Sequence, residues 1–311
     1  MRVEDWSSFD FTYSLDIRSL IPHILAIEEY KAAAHNPVLP PHWLEAPLVA
    51  ADGQPCVAED KPILQLEPLT APNSATEQAG NNHAETSEQQ QPVRDATKAL
   101  AWIRQRFAPG SAPVLLTDIL TLHGMVAEEH GVTGPTAGAL RTTAVEVGRE
   151  LVGGFHQGAP AKRLPFLFER YIDFINGPDL LSLHPLVRAL LAHFFLDTIH
   201  PFVDGNGRTS RLLAAAILCQ HGYNLHGTYG LIRHFYCHEL RYHTILHQIW
   251  KRFPFEVTPF IAFGIEGFVL ELKSVDAFVR MKLNRMRDTE LFVPVFRRRI
   301  GARSRRGDRL R

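Results

Sequence analysis

Between His200 and Arg211 the chain reads HPFVDGNGRTSR, which gathers a histidine, an acid, two glycines flanking an asparagine, and two arginines into twelve positions. Gly205 and Gly207 permit positive φ and put no side chain between main chain and ligand, and Asn206 tolerates the same conformations. Successive amide N–H groups at a helix N-terminus form a cradle for an anion, reinforced by the helix dipole. Arg208 is expected to open the following helix. Arg211, three residues on, shares its face, so the two guanidinium forks suit phosphate oxygens. Two cations at a helix N-terminus oppose the dipole, a conflict that a bound anion removes. Asp204 beside such a cradle repels phosphate by itself but makes sense holding a Mg²⁺ that the phosphates also ligate. His200, with an ordinary pKa of about 6.5, can take a proton from an incoming hydroxyl at neutral pH. Taken singly, a His-Pro step or a GNG turn ends a helix and two arginines face solvent; structure alone does not account for all of them in one loop.

The loop must be held by helices on either side. "HPLVRALLAHFFLDTI" and "RTSRLLAAAILCQHG" carry the apolar content and length of helices and bracket it. Further helices are expected over Leu15 to His35, over "DATKALAWIRQRF" from Asp95, over "LTDILTLHGMVAEEHG" with Thr117 as N-cap and Gly131 as stop, over "PFLFERYIDFIN", and over "RHFYCHELRYHTILHQIWKRF" as one element. "GALRTTAVEVGRELVGGF" differs: Val145 and Val147 alternate, Val152 follows, and Gly148, Gly153 and Gly154 are interspersed, which predicts two short strands or a hairpin. The expected fold is therefore an all-α bundle with one small β-hairpin. Composition divides the chain into a helical, then Pro-rich and polar region over 1–94, a catalytic domain over 95–275, and an extension with a basic tail over 276–311.

At 311 residues with 45% hydrophobic and 21% charged residues, the chain has the composition of an ordinary globular protein, and its formal net charge is zero. That charge is uneven: Met281 to Arg311 hold eleven Lys or Arg against three acids. Such a run without aromatic interleaving fits solvated disorder, an acidic partner or nucleic acid, and nucleic-acid binding is expected only through this tail. Cys56, Cys219 and Cys237 are odd in number and far apart, so neither a disulfide framework nor a cysteine zinc site is suggested, and a reducing compartment fits. No apolar leader or membrane-length apolar run occurs, so the expected location is cytoplasmic, with no membrane partner. His234 with His238, and His243 with His247, have the i, i+4 spacing of a chelating pair, but no acid stands as in HExxH, which favours packing or surface histidines. Tyr236 and Tyr242 are read as packing residues.

The stretch HPFVDGNGRTSR matches the Fic signature, H-P-F-x-[D/E]-G-N-G-R-x-x-R, and from about Leu115 to Phe253 the chain resembles the Fic family more loosely. That resemblance implies a Fic-like helical bundle whose hairpin, "TAVEVGRELVGGF", is a flap that clamps a target segment by strand addition. It implies transfer of AMP from ATP to a protein hydroxyl with Mg²⁺: His200 is the base, Phe202 anchors the loop in the core and Asp204 binds the metal. Gly205, Asn206 and Gly207 hold the α- and β-phosphates, Arg208 and Arg211 the outer phosphates, and the region of Tyr236 and Tyr242 contacts adenine. The implied partners are ATP and a protein bearing a Ser, Thr or Tyr hydroxyl; self-modification and a homodimer are compatible with this class. Some Fic proteins carry an inhibitory helix, [S/T]-x-x-x-E-[G/N]; "NSATEQ" retains only its glutamate, Glu77, and a polar linker is the competing reading there. Two other functions stay open: a regulatory protein that binds nucleotide without turnover, and a Fic relative that transfers a different phosphate-containing group.

Overall fold

The structure, a computed structural model, describes residues 6, 9–34, 90–129, 136–149, 151, 154–223, 231–274, 276–277 and 280. In chain order its elements are β1 (Tyr13–Ser14), α1 (Ile17–Ala34), α2 (Gln90–Arg106), α3 (Leu116–Glu129), β2 (Glu146–Arg149), β3 (Gly154–Gln157), α4 (Leu164–Ile175), α5 (Pro178–Leu181), α6 (Pro185–Ile199), α7 (Asn206–Gln220), α8 (Ile232–Cys237), α9 (Glu239–Trp250) and β4 (Phe255–Glu256). Helical backbone then runs over 258–274. The chain is thus mostly helical with a few short strands, as its periodicity predicts.

At the centre lies α6. Every residue from Leu186 to Ile199 is buried, which a helix achieves only when neighbours cover it on all sides. Pro185 at its first turn forfeits no hydrogen bond there, and His184 caps it by accepting the Leu186 N–H at 3.2 Å. Its closest companion along its length is α7, and α2 and α3 pack on α7 while α4 packs on α6. Residues 6 and 9–34 contribute to this core: Phe11 stacks on Phe174 at 5.0 Å and meets Phe195 edge-on at 5.3 Å. The division drawn at 94 falls inside α2.

Several local details differ from expectation. Thr117 is not the cap of α3, which begins one residue earlier; instead Asp118 folds back to accept the Leu115 N–H at 2.8 Å and pairs with Arg106 at 2.7 Å, the reach-back half of a capping box. The stretch after Ile232 is two helices, broken at His238, whose Nδ1 turns to the His234 carbonyl at 3.0 Å. β1 and β4 pair in parallel, Tyr13 opposite Phe255, a two-residue bridge too short to leave any periodicity. Cys219 is a buried free thiol. No described helix is long and apolar enough to cross a membrane.

The expected hairpin is present. β2 and β3 pair antiparallel with Val147 opposite His156 and Gly148 opposite Phe155. His156 turns inward, where Nε2 donates to the Thr198 carbonyl at 2.8 Å and the ring stacks on Trp250 at 4.1 Å. Gly148 stands at φ +116, and a Cβ there would collide with the imidazole of His247 on α9. The hairpin therefore rests closely on α6 and α9, and Phe155 on its outer face is exposed.

Candidate active site

The loop 200–205 joins the C-terminus of α6 to the N-terminus of α7, and its shape is fixed from four directions. His200 ends α6 in the left-handed region, φ 53 and ψ 62, the one non-glycine residue with positive φ among those described. Its N–H still closes the last turn on the Leu196 carbonyl at 2.9 Å, and Pro201 prevents the helix from continuing. Phe202 is fully buried, stacked 3.8 Å from the ring of His123 on α3, as its expected anchoring role requires. His123 also grips the loop: Nε2 donates to the Asp204 carbonyl at 3.1 Å while Nδ1 accepts the Gly138 N–H at 3.0 Å. Burial lowers its pKa, which keeps the ring in the neutral tautomer that this pair of bonds needs.

Asn206 has a role the sequence reading did not assign. Its amide locks both ways on Phe202, Oδ1 accepting the Phe202 N–H at 2.9 Å and Nδ2 donating to the Phe202 carbonyl at 2.9 Å. The side chain is buried and committed to the loop, so what Asn206 offers a phosphate is its backbone N–H at the first turn of α7. Only Gly205, at φ 76 in the cap position, uses the left-handed freedom expected of the whole GNG. The helix begins at Asn206, so Gly207 lies inside it: a Cβ there would sit 3.4 Å from Arg211 Nη1, in ordinary contact with the guanidinium that lies across the helix start.

His200 Nδ1 lies 3.2 Å from the Asp197 carbonyl, which can only accept, so Nδ1 carries the proton and Nε2 keeps its lone pair. Burial lowers the pKa of His200, with Arg141 adding to the shift and Asp197 opposing it. A neutral imidazole with a free Nε2 is the form a general base needs. Beneath it, Asp197 is buried with three partners: Ser210 Oγ at 2.8 Å, Tyr242 Oη at 2.5 Å and His193 Nε2 at 3.1 Å. Burial works to raise the Asp197 carboxyl, but His193, Tyr242 and His200 outweigh it and hold it ionised, well below the usual carboxylate range. The positive charge of Arg211 bears on the same Tyr242 hydroxyl, against the carboxylate of Asp197. Tyr242 is therefore more than packing: its hydroxyl donates to the buried anion, and its ring lines the cavity. Asp197, His193 and His123 escaped the sequence reading because each looks like one more residue of a helix; the only signal was polar residues inside otherwise apolar runs.

These groups open into a cavity of about 390 Å³, within the usual range for a small-molecule site. Its floor is the loop with His200, Gly205 to Arg208 and Arg211; one wall is the hairpin at 145–148, and the other is aromatic, with Phe235, Tyr242 and Trp250. Asp204 stands at the edge, its side chain 70% exposed and 3.1 Å from Arg208. Among the described residues no group of three or more His, Cys, Asp or Glu side chains is placed to hold a metal by itself. A Mg²⁺ nonetheless fits Asp204: it takes hard oxygen ligands, commonly one or two carboxylates completed by water and substrate phosphates. The structure brings together every expected residue of the loop. Glu77, the Tyr236 side chain and the basic tail lie outside the described residues or side chains.

The cavity is thus bounded by the N-terminus of α7 with Arg208 on its first turn and Arg211 on its second, by His200, and by the hairpin, within a mostly helical domain. Residues 113–218 match the family model of the Fic/DOC family, and the domain they form belongs to it. Over 111 residues, 35% of this chain, it is 42% identical to "Protein adenylyltransferase Fic" of Drosophila grimshawi and 38% identical to "Protein adenylyltransferase fic-1" of Caenorhabditis elegans, covering 21% and 20% of those chains. The match thus spans about a fifth of the length of these curated relatives. Among solved structures, Fic-1 (residues 134–508) from C. elegans superposes with a TM-score of 0.58 at 17% identity over 86% of this chain and 75% of that one. A Fic family protein from Desulfovibrio desulfuricans does so with 0.51 at 21% identity over 86% and 70%. At such identities the superpositions establish the fold.

Proposed function

We propose that the protein transfers AMP from ATP to a hydroxyl side chain of a target protein. The observation that carries this reading is the free Nε2 of a neutral His200 facing the same cavity as the α7 N-terminus and Arg211; a module that only bound nucleotide needs no base there. In the reaction the target hydroxyl oxygen attacks the α-phosphorus, its proton passes to His200 Nε2, and the bond from the α-phosphorus to the bridging oxygen breaks in line, so that pyrophosphate leaves. The first-turn amides of α7 and the guanidinium groups of Arg208 and Arg211 hold the phosphates, so positioning and charge stabilisation supply most of the acceleration. Asp204 would hold the Mg²⁺ that, when bound, neutralises phosphate charge. The aromatic wall receives the adenine, and the free edge of β2 receives an extended target segment. The carbonyl of Asp197 keeps the His200 proton on Nδ1 throughout the attack.

The test is to incubate the protein with a cell lysate and ATP labelled at either the α- or the γ-phosphate. Protein-bound label is expected from the α-position alone, and lost in His200→Ala. Label from the γ-position would overturn the AMP assignment, and label retained in His200→Ala would overturn the base.

A further inference from the structure

We infer that Arg141 is a positioning residue that fastens the hairpin and the loop of His200 into one rigid piece. The inference concerns the proposed site but stands on contacts that no nucleotide chemistry enters. Arg141 is buried, 3% exposed, and all three guanidinium nitrogens donate to main-chain carbonyls. Nε reaches the His200 carbonyl at 2.7 Å, Nη1 the Thr143 carbonyl at 2.5 Å, and Nη2 the Ala159 carbonyl. Thr143 lies just before β2 and Ala159 just after β3, so one planar fork holds the entering stem of the hairpin, its leaving stem and the catalytic loop at fixed mutual positions. The main chain repeats the arrangement: the Arg141 N–H donates to the Pro201 carbonyl at 2.9 Å, the Ala159 N–H to the Ile199 carbonyl at 3.0 Å, and the Gly158 N–H to the Val145 carbonyl at 3.1 Å.

A buried guanidinium is costly unless its donors are satisfied. Here its hydrogen-bond partners are carbonyl dipoles drawn from three segments, which is a geometry for joining segments. The junction leaves no spare room: a Cβ on Gly158 would come within 2.9 Å of Arg141 Nη2, 3.0 Å of the His200 Cβ and 3.1 Å of Val145 Cγ1. Lysine cannot replace this fork. Its ammonium is a point charge on a flexible stem and cannot hold three carbonyls in one plane. Loss of the fork should let the strand that receives the target and the base that deprotonates it move independently, and a displacement near 1 Å costs about 100-fold in rate.

Amide hydrogen exchange on the full chain tests the fastening without any assay of turnover. In Arg141→Lys, exchange should rise together in 146–149, 154–157 and 200–205, while α6 from Leu190 to Leu196 stays as protected as in the wild type. Gly158→Ala, which crowds the same fork, should reproduce that pattern. Faster exchange throughout α6 would mean general destabilisation, and faster exchange in the hairpin alone would mean that Arg141 does not join the two; either result overturns the inference. Where the wild type transfers AMP, Arg141→Lys should cut transfer to protein by about 100-fold with ATP affinity within about twofold. A wild type that transfers nothing would defeat the proposed function and leave the exchange result to decide on Arg141.

Discussion

The two ends of the α6–α7 pair are built from the same three side-chain types and do different things. At the far end Glu28 of α1 accepts from the Tyr223 hydroxyl and lies 3.0 Å from His184 Nε2. At the near end Asp197 accepts from the Tyr242 hydroxyl and lies 3.1 Å from His193 Nε2. The Glu28 side chain is 48% exposed and that of Asp197 only 6%. The far cluster docks a neighbouring helix and closes the end off. The near cluster takes its tyrosine from α9, and beyond it are the His200 imidazole, Arg211 and the cavity. Chemistry at one end therefore follows less from the acid, histidine and tyrosine than from burial of the acid and from the first-turn amides of α7 that the loop turns into the cavity.

The comparison can be broken most severely at His200. Replacing it with alanine should lower AMP transfer by about 10²–10⁴-fold, the range for a positioned general base, with ATP affinity unchanged within about twofold by calorimetry; the far cluster has no variant with that signature. Stability should separate the two acids next. Asp197→Ala leaves buried partners uncompensated and should cost about 3–5 kcal/mol of unfolding free energy, whereas Glu28→Ala, half in solvent, should cost about 0–1 kcal/mol, both read by denaturant titration.

Acid should act at the near end as well. Burial pushes His156 down to about 4 from its ordinary 6.5. The unfolded chain then holds the extra proton between those values and the folded chain does not, so this contribution is complete above pH 6.5 and lost as pH falls toward 4. His156→Gln keeps a donor for the Thr198 carbonyl and should flatten the dependence of unfolding free energy on pH in that window by at most about 1.4 kcal/mol per pH unit. The smallest effect is expected at Gly207→Ala. The new methyl group meets Arg211 Nη1 at ordinary contact distance, 3.4 Å, so transfer should stay within about twofold, while stability stays within about 1 kcal/mol because alanine favours the helix. A loss of about tenfold or more would show that even a methyl group in contact with Arg211 disturbs the site.

Much of this was legible in the chain. Helical periodicity announces α4, α6 and α7, the alternation at Val145 and Val147 announces the hairpin, and the spacing from His200 to Arg211 announces the cavity floor. What stayed hidden has a common physical cause. His123, Arg141, Asp197 and Tyr242 act through contacts between segments 45 to 81 residues apart, and local pattern carries no record of such pairings. Asn206 misled in another way: its tolerance of turns suggested a conformational role, while in the fold its amide is a clamp on Phe202 whose geometry depends on where the next helix begins. The break at His238 leaves equally little trace, since both halves keep helical periodicity.

The left-handed backbone at His200 has a consequence for how this protein can change. A side chain in that conformation is disfavoured by about 1–2 kcal/mol, and glycine is the residue that relieves it. His200→Gly should accordingly unfold at a higher temperature than His200→Ala, although both lack the imidazole. Backbone preference alone would therefore place glycine at 200, and the imidazole sits there at a cost in stability that only a role for the ring would offset.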